Sequence, residues 1–327
     1  FGSVLTVNGN DLLVLAISHP PPSLPTLATP FATHPALIAN PWRAGALATI
    51  TPEASVAVMG TGLTMADTVA TLTRLGHRGP IAAFSRRGLL SRSNLSGSSE
   101  PWPGEYDRGT LRQRLRQIRL DIERAAEQGQ AWQVVLDAVR NQGQSIWQGL
   151  TVADRQRFLR HLRSYWDVHR YRIAPQVAGV LEQRQRDGSL RVLAARLTAL
   201  EGDAQKLALT LTPRRGETLR VSADHFILTT GPAHGGLTDS QPLLRQLSQR
   251  GLIRADAFGL GLDVDRRSRA IGREGRITPN LLVSGPAARA CFGELMGLPQ
   301  VADHAAAVAD EALRTLGVKQ SARCPAF

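Results

Sequence analysis

Cysteine, lysine and methionine are scarce in this chain of 327 residues, with two, two and three copies. Two cysteines, Cys291 and Cys324, cannot build a multi-bridge framework. With no CxxC pair and no histidine cluster beside them they do not form a zinc site either, so both read as reduced thiols and no metal is expected. No apolar run reaches the ~20 residues that a membrane-spanning helix needs, which excludes a transmembrane reading. A basic stretch followed by an apolar core and a small-residue cleavage site is also lacking at the N-terminus, so the cytoplasm is the expected location. Aromatic residues make up only 5%, but apolar residues reach 43% and charged residues 20%, the balance of an ordinary globular protein long enough for about two domains.

Charge is one-sided. Lysine and arginine total 39 against 27 acidic residues, a net charge of +12, which raises nucleic acid or an acidic ligand as a partner. Only Lys206 and Lys319 are lysines, however, and an arginine excess of that kind also follows from a GC-rich genome. The arginines are scattered and accompany no nucleic-acid motif, so the expected partner is a small molecule rather than a nucleic acid.

Along the chain, 1–9 reads as a strand and turn, and the apolar run Leu12 to Ile17 reads as a buried strand leading into Ser18-His19-Pro20. A strand this apolar requires a sheet around it, and the expectation is that sequence upstream of Phe1 completes that sheet. Prolines 25, 30, 35 and 41 punctuate 20–52, which predicts an extended connector. Ser55 to Met59 is a strand, Gly60 to Thr64 a glycine turn, and Met65 to Leu75 a helix with Met65, Val69 and Leu72 on one face, ending at Gly76. Pro80 to Ser85 is the next strand. A Ser, Gly and Pro-rich loop over 88–104 precedes a helical block from about Thr110 to Val177, with Leu111, Leu115, Ile118 and Ile122 at helical spacing. Alternating segments between Leu190 and Val221 predict a small antiparallel meander. Phe226 to Leu228 is a buried strand running into Thr229-Thr230-Gly231-Pro232, Leu281 to Ser284 is another closed by Gly285-Pro286, and a terminal helix covers about Leu298 to Leu316.

The motif with the most chemistry is Gly60-x-Gly62 between a strand and a helix. The first glycine permits a tight turn, the second lets backbone approach a pyrophosphate, and the helix N-terminus supplies amide donors and positive charge. The third small residue is displaced to Ala66, a departure from the strict dinucleotide-binding fingerprint. A plain turn packing strand on helix is the competing reading. At the end of the second strand, an acidic residue would receive a ribose hydroxyl and an arginine would pair with a 2′-phosphate. Here stands Ser85-Arg86-Arg87, which favours NADP(H) over NAD(H), unless Arg86 and Arg87 are simply two more solvated arginines.

These elements together resemble a known family. Val56 to Gly62, the Gly62 to Asp67 turn, Gly76 to Ile81, Ser85 to Gly88, Trp166 to Arg170, the Thr229-Thr230-Gly231 strand end and Leu282 to Pro299 resemble the FAD/NAD(P)-binding oxidoreductases related to flavin-dependent monooxygenases and N-hydroxylases. The resemblance implies an α/β fold: a Rossmann-like NAD(P)-binding domain over 53–231 with a helical insertion at about 105–177, nested in a partial FAD-binding domain over 1–52 and 232–327. It implies FAD and NADP(H) as cofactors, bound by Gly60, Thr61, Gly62, Leu63, Thr64, Asp67, Ser85, Arg86, Arg87, Thr230, Gly231, Gly285 and Pro286. Gly285-Pro286 replaces the Gly-Asp of many such proteins, and the family's first fingerprint, for the FAD pyrophosphate, would lie upstream of Phe1.

The function so implied is hydride transfer from NADPH to flavin and on to oxygen or another acceptor, with the cofactors carrying the reaction. A non-catalytic NADP(H)-binding module without flavin is the alternative. For proton transfer the sequence offers only His169, between Trp166, Asp167 and Arg170, for which a packing role competes. No Gly-x-Ser-x-Gly elbow supports hydrolysis.

Overall fold

The computed structural model describes residues 8, 11–20 and 22–318, so most of the strand and turn expected over 1–9, and Lys319 and Cys324, lie outside the described residues. A short strand, β1 (Leu13–Leu15), is followed by a 3-10 turn at Thr26–Phe31 and a two-residue strand, β2 (Leu37–Ile38). The connector is therefore not extended throughout. Its proline spacing tolerates one tight turn, and Leu37 and Ile38 gain hydrogen bonds by joining a sheet edge.

The next unit forms as expected. Strand β3 (Val56–Met59) is buried on both faces at Val56, Ala57 and Val58, the pattern of a central parallel strand. Helix α1 (Leu63–Arg74) turns Met65, Ala66, Val69 and Leu72 onto the sheet, all at most 1% exposed, and β4 (Ile81–Ser85) follows. Six helical pieces come next: α2 (Leu111–Glu127), α3 (Trp132–Asn141), α4 (Gly143–Gln148), α5 (Val152–Arg157), a single π turn at Phe158–Leu162, and α6 (Arg163–Arg170). Helix α2 starts on a capping box, Thr110 with Gln113, which satisfies two otherwise orphaned backbone donors.

Two expected boundaries are corrected. The helical block does not end at 177, because α7 (Pro175–Arg186) runs past it. This helix packs Ala178 and Leu181 into the same core as α1 and leads back to the sheet. Its Arg184 donates to the carbonyls of His77 and Gly79, so α7 acts as the second crossover of the parallel sheet. Nor does the antiparallel meander begin at Leu190. The long strand β5 (Leu190–Gly202) first pairs parallel with β4 through Ala194 and only from Ala195 turns to its antiparallel partner β6 (Leu207–Pro213). One strand thus serves as third parallel strand and as first meander strand, which alternation alone does not separate. Strands β7 (Leu219–Ala223) and β8 (His225–Leu228) finish the set.

The seven-stranded sheet has the order β2-β8-β3-β4-β5-β6-β7 and is parallel from β2 to β5. The chain advances from β3 to β4 to β5 on one side and returns to β8 on the other, so the strand order reverses between β3 and β8. In open α/β sheets, such a switch point at the carboxyl ends of the strands is where ligands bind.

Helix α8 (Pro242–Gln249) leads to the second sheet, with β9 (Arg269–Ile271) and β10 (Ile277–Val283), then α9 (Arg289–Phe292) and the terminal helix α10 (Gln300–Thr315). Here β1 pairs parallel with β10, Leu15 opposite Val283, and β9 pairs antiparallel with β10. The residues between β1 and β2 therefore cross from one sheet to the other. Among the described residues no helix is long and apolar enough to cross a membrane, and no group of His, Cys, Asp or Glu could hold a metal ion.

Candidate nucleotide site and the cavity beside it

At the switch point the two strand ends touch. Gly60 has φ +117°, and a Cβ there would lie 2.5 Å from Thr229 Oγ1 and 2.6 Å from the Thr229 carbonyl, so both the conformation and the close approach of β8 demand glycine. Thr229 is buried, and its amide and hydroxyl both donate to Met59 O. Gly62 is different. Nothing lies within 4 Å of where its Cβ would be, and it caps α1 without a side-chain hydrogen bond. The amides of the first turn of α1, at Leu63 and Thr64, thus face a space that no capping side chain claims, with no acidic residue in that turn. Thr230 is exposed and Gly231 turns the chain away at φ +77°.

The hydroxyls of Thr61 and Ser85 have a structural task. Gly88 N donates to Ser85 Oγ at 3.0 Å, Ser85 and Thr61 hydroxyls meet at 2.8 Å, and Thr61 Oγ1 donates to Leu89 O at 2.6 Å. This relay fixes the loop after β4 against the glycine turn and leaves backbone, rather than these side chains, as the ligand-facing group. Asp67 is half-buried on α1, and desolvation holds its carboxyl above the usual range.

Arg86 and Arg87 are both exposed but not equivalent. The Arg87 guanidinium lies 5.0 Å from the centre of the Tyr165 ring and donates to Arg160 O. Among the described residues Arg86 has no ion pair and no hydrogen bond, and it remains available at the end of β4, where a 2′-phosphate would arrive.

At the end of β10, Gly285 has φ +77° and its N–H donates to His304 Nδ1 at 3.0 Å. The Nε2 of His304 therefore carries the proton and donates to Ser268 Oγ at 3.0 Å. Burial lowers the His304 pKa to about 4, which keeps the ring neutral and able to accept from Gly285. Pro286 is buried in the 3-10 turn that follows.

His169 lies elsewhere, at the end of α6. Its ring edge meets Trp132 at 5.1 Å between centroids, its Nδ1 is bonded to Tyr165 O, and it lines a cavity of about 560 Å³ inside the helical insert. The wall of that cavity includes Tyr165, the residue under Arg87, and also Leu260, Arg289 and Glu294 from the segments around β10. Tyr165 and Glu294, which the sequence did not single out, join His169 and Asp167 in that lining.

No family model matches the sequence, and none of the curated proteins does. Solved structures do. The L-lysine 6-monooxygenase of Pseudomonas syringae superposes with a TM-score of 0.59 at 19% identity over 93% of this chain and 63% of its own. The reduced ornithine hydroxylase of Pseudomonas aeruginosa gives 0.60 at 15% identity, over 93% and 62%. The FAD-bound cadaverine monooxygenase of Erwinia amylovora gives 0.55 at 15% identity, over 97% and 64%. The chain shares its fold with these monooxygenases. The expected resemblance to two-dinucleotide-binding flavoproteins is thereby met at the level of fold, while the chain spans less than two thirds of the length of each of these neighbours.

Proposed function

We propose that this chain belongs to an FAD-dependent, NADP(H)-using oxidoreductase of the monooxygenase kind. The observation that carries this reading is the open helix N-terminus after Gly62 at the switch point between β3 and β8, with Arg86 free at the neighbouring strand end. The residues fit NADP(H). The empty space at Gly62 and the uncapped amides of Leu63 and Thr64 are a cradle for a pyrophosphate, and Arg86 offers a charge-assisted partner for the 2′-phosphate. For FAD the chain offers the paired ends of β1 and β10 with Gly285 and Pro286, and a fold shared with an FAD-bound neighbour supports a flavin as cofactor. Among the described residues there is no second Gly-x-Gly turn between a strand and a helix to cradle its pyrophosphate.

When bound, NADPH supplies a hydride for which the flavin is the acceptor. The protein's own part is to hold and orient. Gly60 lets β3 approach β8, the Thr61–Ser85 relay locks the loop after β4, and neutral His304 fixes Gly285 where β1 and β10 end. The substrates named for the neighbours, lysine, ornithine and cadaverine, are all cationic amines.

The test is an anaerobic titration of the FAD-reconstituted protein with NADPH, followed by visible absorption. Retained flavin that bleaches on addition of NADPH is the expected result. Tight NADPH binding by a protein that retains no flavin would leave the alternative, a nucleotide-binding module without redox chemistry.

A further inference from the structure

Helix α2 packs inside out. Its buried side chains are Arg114, Asp121 and Ala125: Arg114 donates to the carbonyls of Asp107, Arg108 and Ile146, and Asp121 accepts from Tyr106, Gln117 and Arg124. Its apolar stripe, Leu111, Leu115, Ile118 and Ile122, is only half-buried and lines the 560 Å³ cavity. An amphipathic helix ordinarily buries that stripe against its neighbours; here Leu111, Ile118 and Ile122 pack only in part on the buried residues of the insert, and the stripe's remaining surface borders a partly open cleft. The facing wall is apolar and aromatic, with Trp132, Leu136, Trp147, Phe158 and Trp166. The π turn at Phe158–Leu162 contributes Phe158, Leu159 and Leu162 to the same wall, and such single turns recur at functional sites. The volume lies within the range of small-molecule pockets.

The lining of this mostly apolar chamber also holds polar groups. Asp167 lines it, with Oδ2 3.5 Å from Arg163 Nε, while Oδ1 is buried and has no hydrogen-bond partner. A buried acceptor left unsatisfied is unfavourable, and a ligand donor would relieve it. Burial raises the Asp167 carboxyl, with Arg163 and Arg289 opposing and Glu294 adding to the rise. Arg92, Arg114, Arg119, Arg163 and Arg289 line the chamber against two carboxylates, Asp167 and Glu294, an excess of positive charge that disfavours a cationic ligand.

The chamber touches both cofactor-side elements, through Tyr165, which lies under Arg87 at the end of β4, and through Arg289 and Glu294, which follow Gly285. We propose that this chamber is the substrate pocket and takes an uncharged, mostly apolar molecule carrying one hydrogen-bond donor, such as a hydroxyl, that bonds to Asp167. That the occupant is the substrate rests on the oxidoreductase reading; that an apolar alcohol or phenol binds does not.

The experiment uses the full chain and four probes, β-naphthol, naphthalene, β-naphthylmethylammonium and L-lysine, read by tryptophan quenching and calorimetry without cofactor. β-Naphthol should bind at least tenfold more tightly than the naphthyl cation, and lysine should not bind. Leu115→Trp, which fills the chamber, should weaken naphthol at least tenfold, and Asp167→Leu should weaken naphthol roughly tenfold while leaving naphthalene unchanged, with thermal melting confirming that both variants fold. Absence of naphthol binding, tighter binding of the cation, or indifference to both substitutions would overturn the pocket. NADPH consumption by the FAD-loaded protein is then followed with and without naphthol. Acceleration supports the substrate role; binding without acceleration overturns that role while the apolar pocket stands. A protein that fails to bleach flavin with NADPH, yet still binds naphthol, separates failure of the oxidoreductase reading from failure of the pocket.

Discussion

The glycine turn after β3 and the helical insert between β4 and α7 are both built to leave space open, and they do so by opposite means. At the turn, openness is local: Gly62 has no Cβ, and α1 has no capping side chain. In the insert, openness is collective, because α2 gives Arg114 and Asp121 to packing and leaves Leu111, Leu115, Ile118 and Ile122 partly facing an open cleft walled by α3, α4, the π turn and residues from the far end of the chain. A local device is robust to distant change. A collective one depends on every wall staying in place.

The sharpest way to break this comparison is to loosen the wall that the insert shares with the C-terminal segment. Glu294 accepts from Trp166 Nε1 at 3.0 Å and from Arg170 Nε at 2.5 Å, and the two charged side chains are 9% and 6% exposed. Trp147 adds a bond to Ala290 O, packed so closely on Gly293 that a Cβ there would lie 2.8 Å from the ring. Glu294→Ala leaves Arg170 buried without its counter-charge, for which a loss of about 3–5 kcal/mol is expected, measured by urea unfolding. NADPH affinity per folded molecule should be unchanged, since the glycine turn does not depend on that wall.

A second probe acts by pH on the other cofactor-side element. His304 binds a proton near pH 4 in the fold and near pH 6.5 when unfolded. Between those values the unfolded state holds more protons, so stability is complete above pH 6.5 and falls as the pH drops toward 4, by up to about 3 kcal/mol. Urea midpoints across that window should show the slope, and it should flatten in His304→Asn, which retains an acceptor but does not titrate.

How much of this was legible in the sequence follows the same division. Gly60, Gly62 and the face of Met65, Val69 and Leu72 are separated by a few residues, so periodicity and turn chemistry place them, and α1 forms where expected. The parallel first half of β5 was not legible, because a strand that changes partners at Ala195 has one continuous alternation. Leu111, Leu115, Ile118 and Ile122 were visible as a stripe, but a stripe packed on a core and a stripe lining a cavity have the same spacing. Glu294 and Trp166 are 128 positions apart, and no local pattern joins them.

Gly62→Asp sharpens the comparison from the other side. It places a carboxylate in the open space beside the uncapped amides, where its charge opposes a pyrophosphate and its oxygen competes for the same donors. NADPH affinity should fall at least tenfold, about 1.4 kcal/mol, in a calorimetric titration. Naphthol binding in the insert should not change, and a parallel loss of both would show that the two spaces are coupled through the loop after β4.

That loop is where the two regions meet, and its two arginines divide between them. Arg86 makes no ion pair among the described residues, whereas Arg87 stacks on Tyr165 and bonds to Arg160 O. Arg86→Ala should weaken NADPH about tenfold, ~1.4 kcal/mol, with NADH unaffected, because a single charge-assisted contact at an exposed site is lost. Arg87→Ala should disturb nucleotide preference less and the chamber more, since it removes the guanidinium that covers the Tyr165 ring, a cation–π contact of about 0.5–1 kcal/mol. Affinities for NADPH, NADH and naphthol measured on the two variants form the check. If Arg87→Ala shifts the NADPH to NADH ratio as far as Arg86→Ala does, the phosphate contact is shared, and Arg87 is a cofactor residue that the insert holds in position.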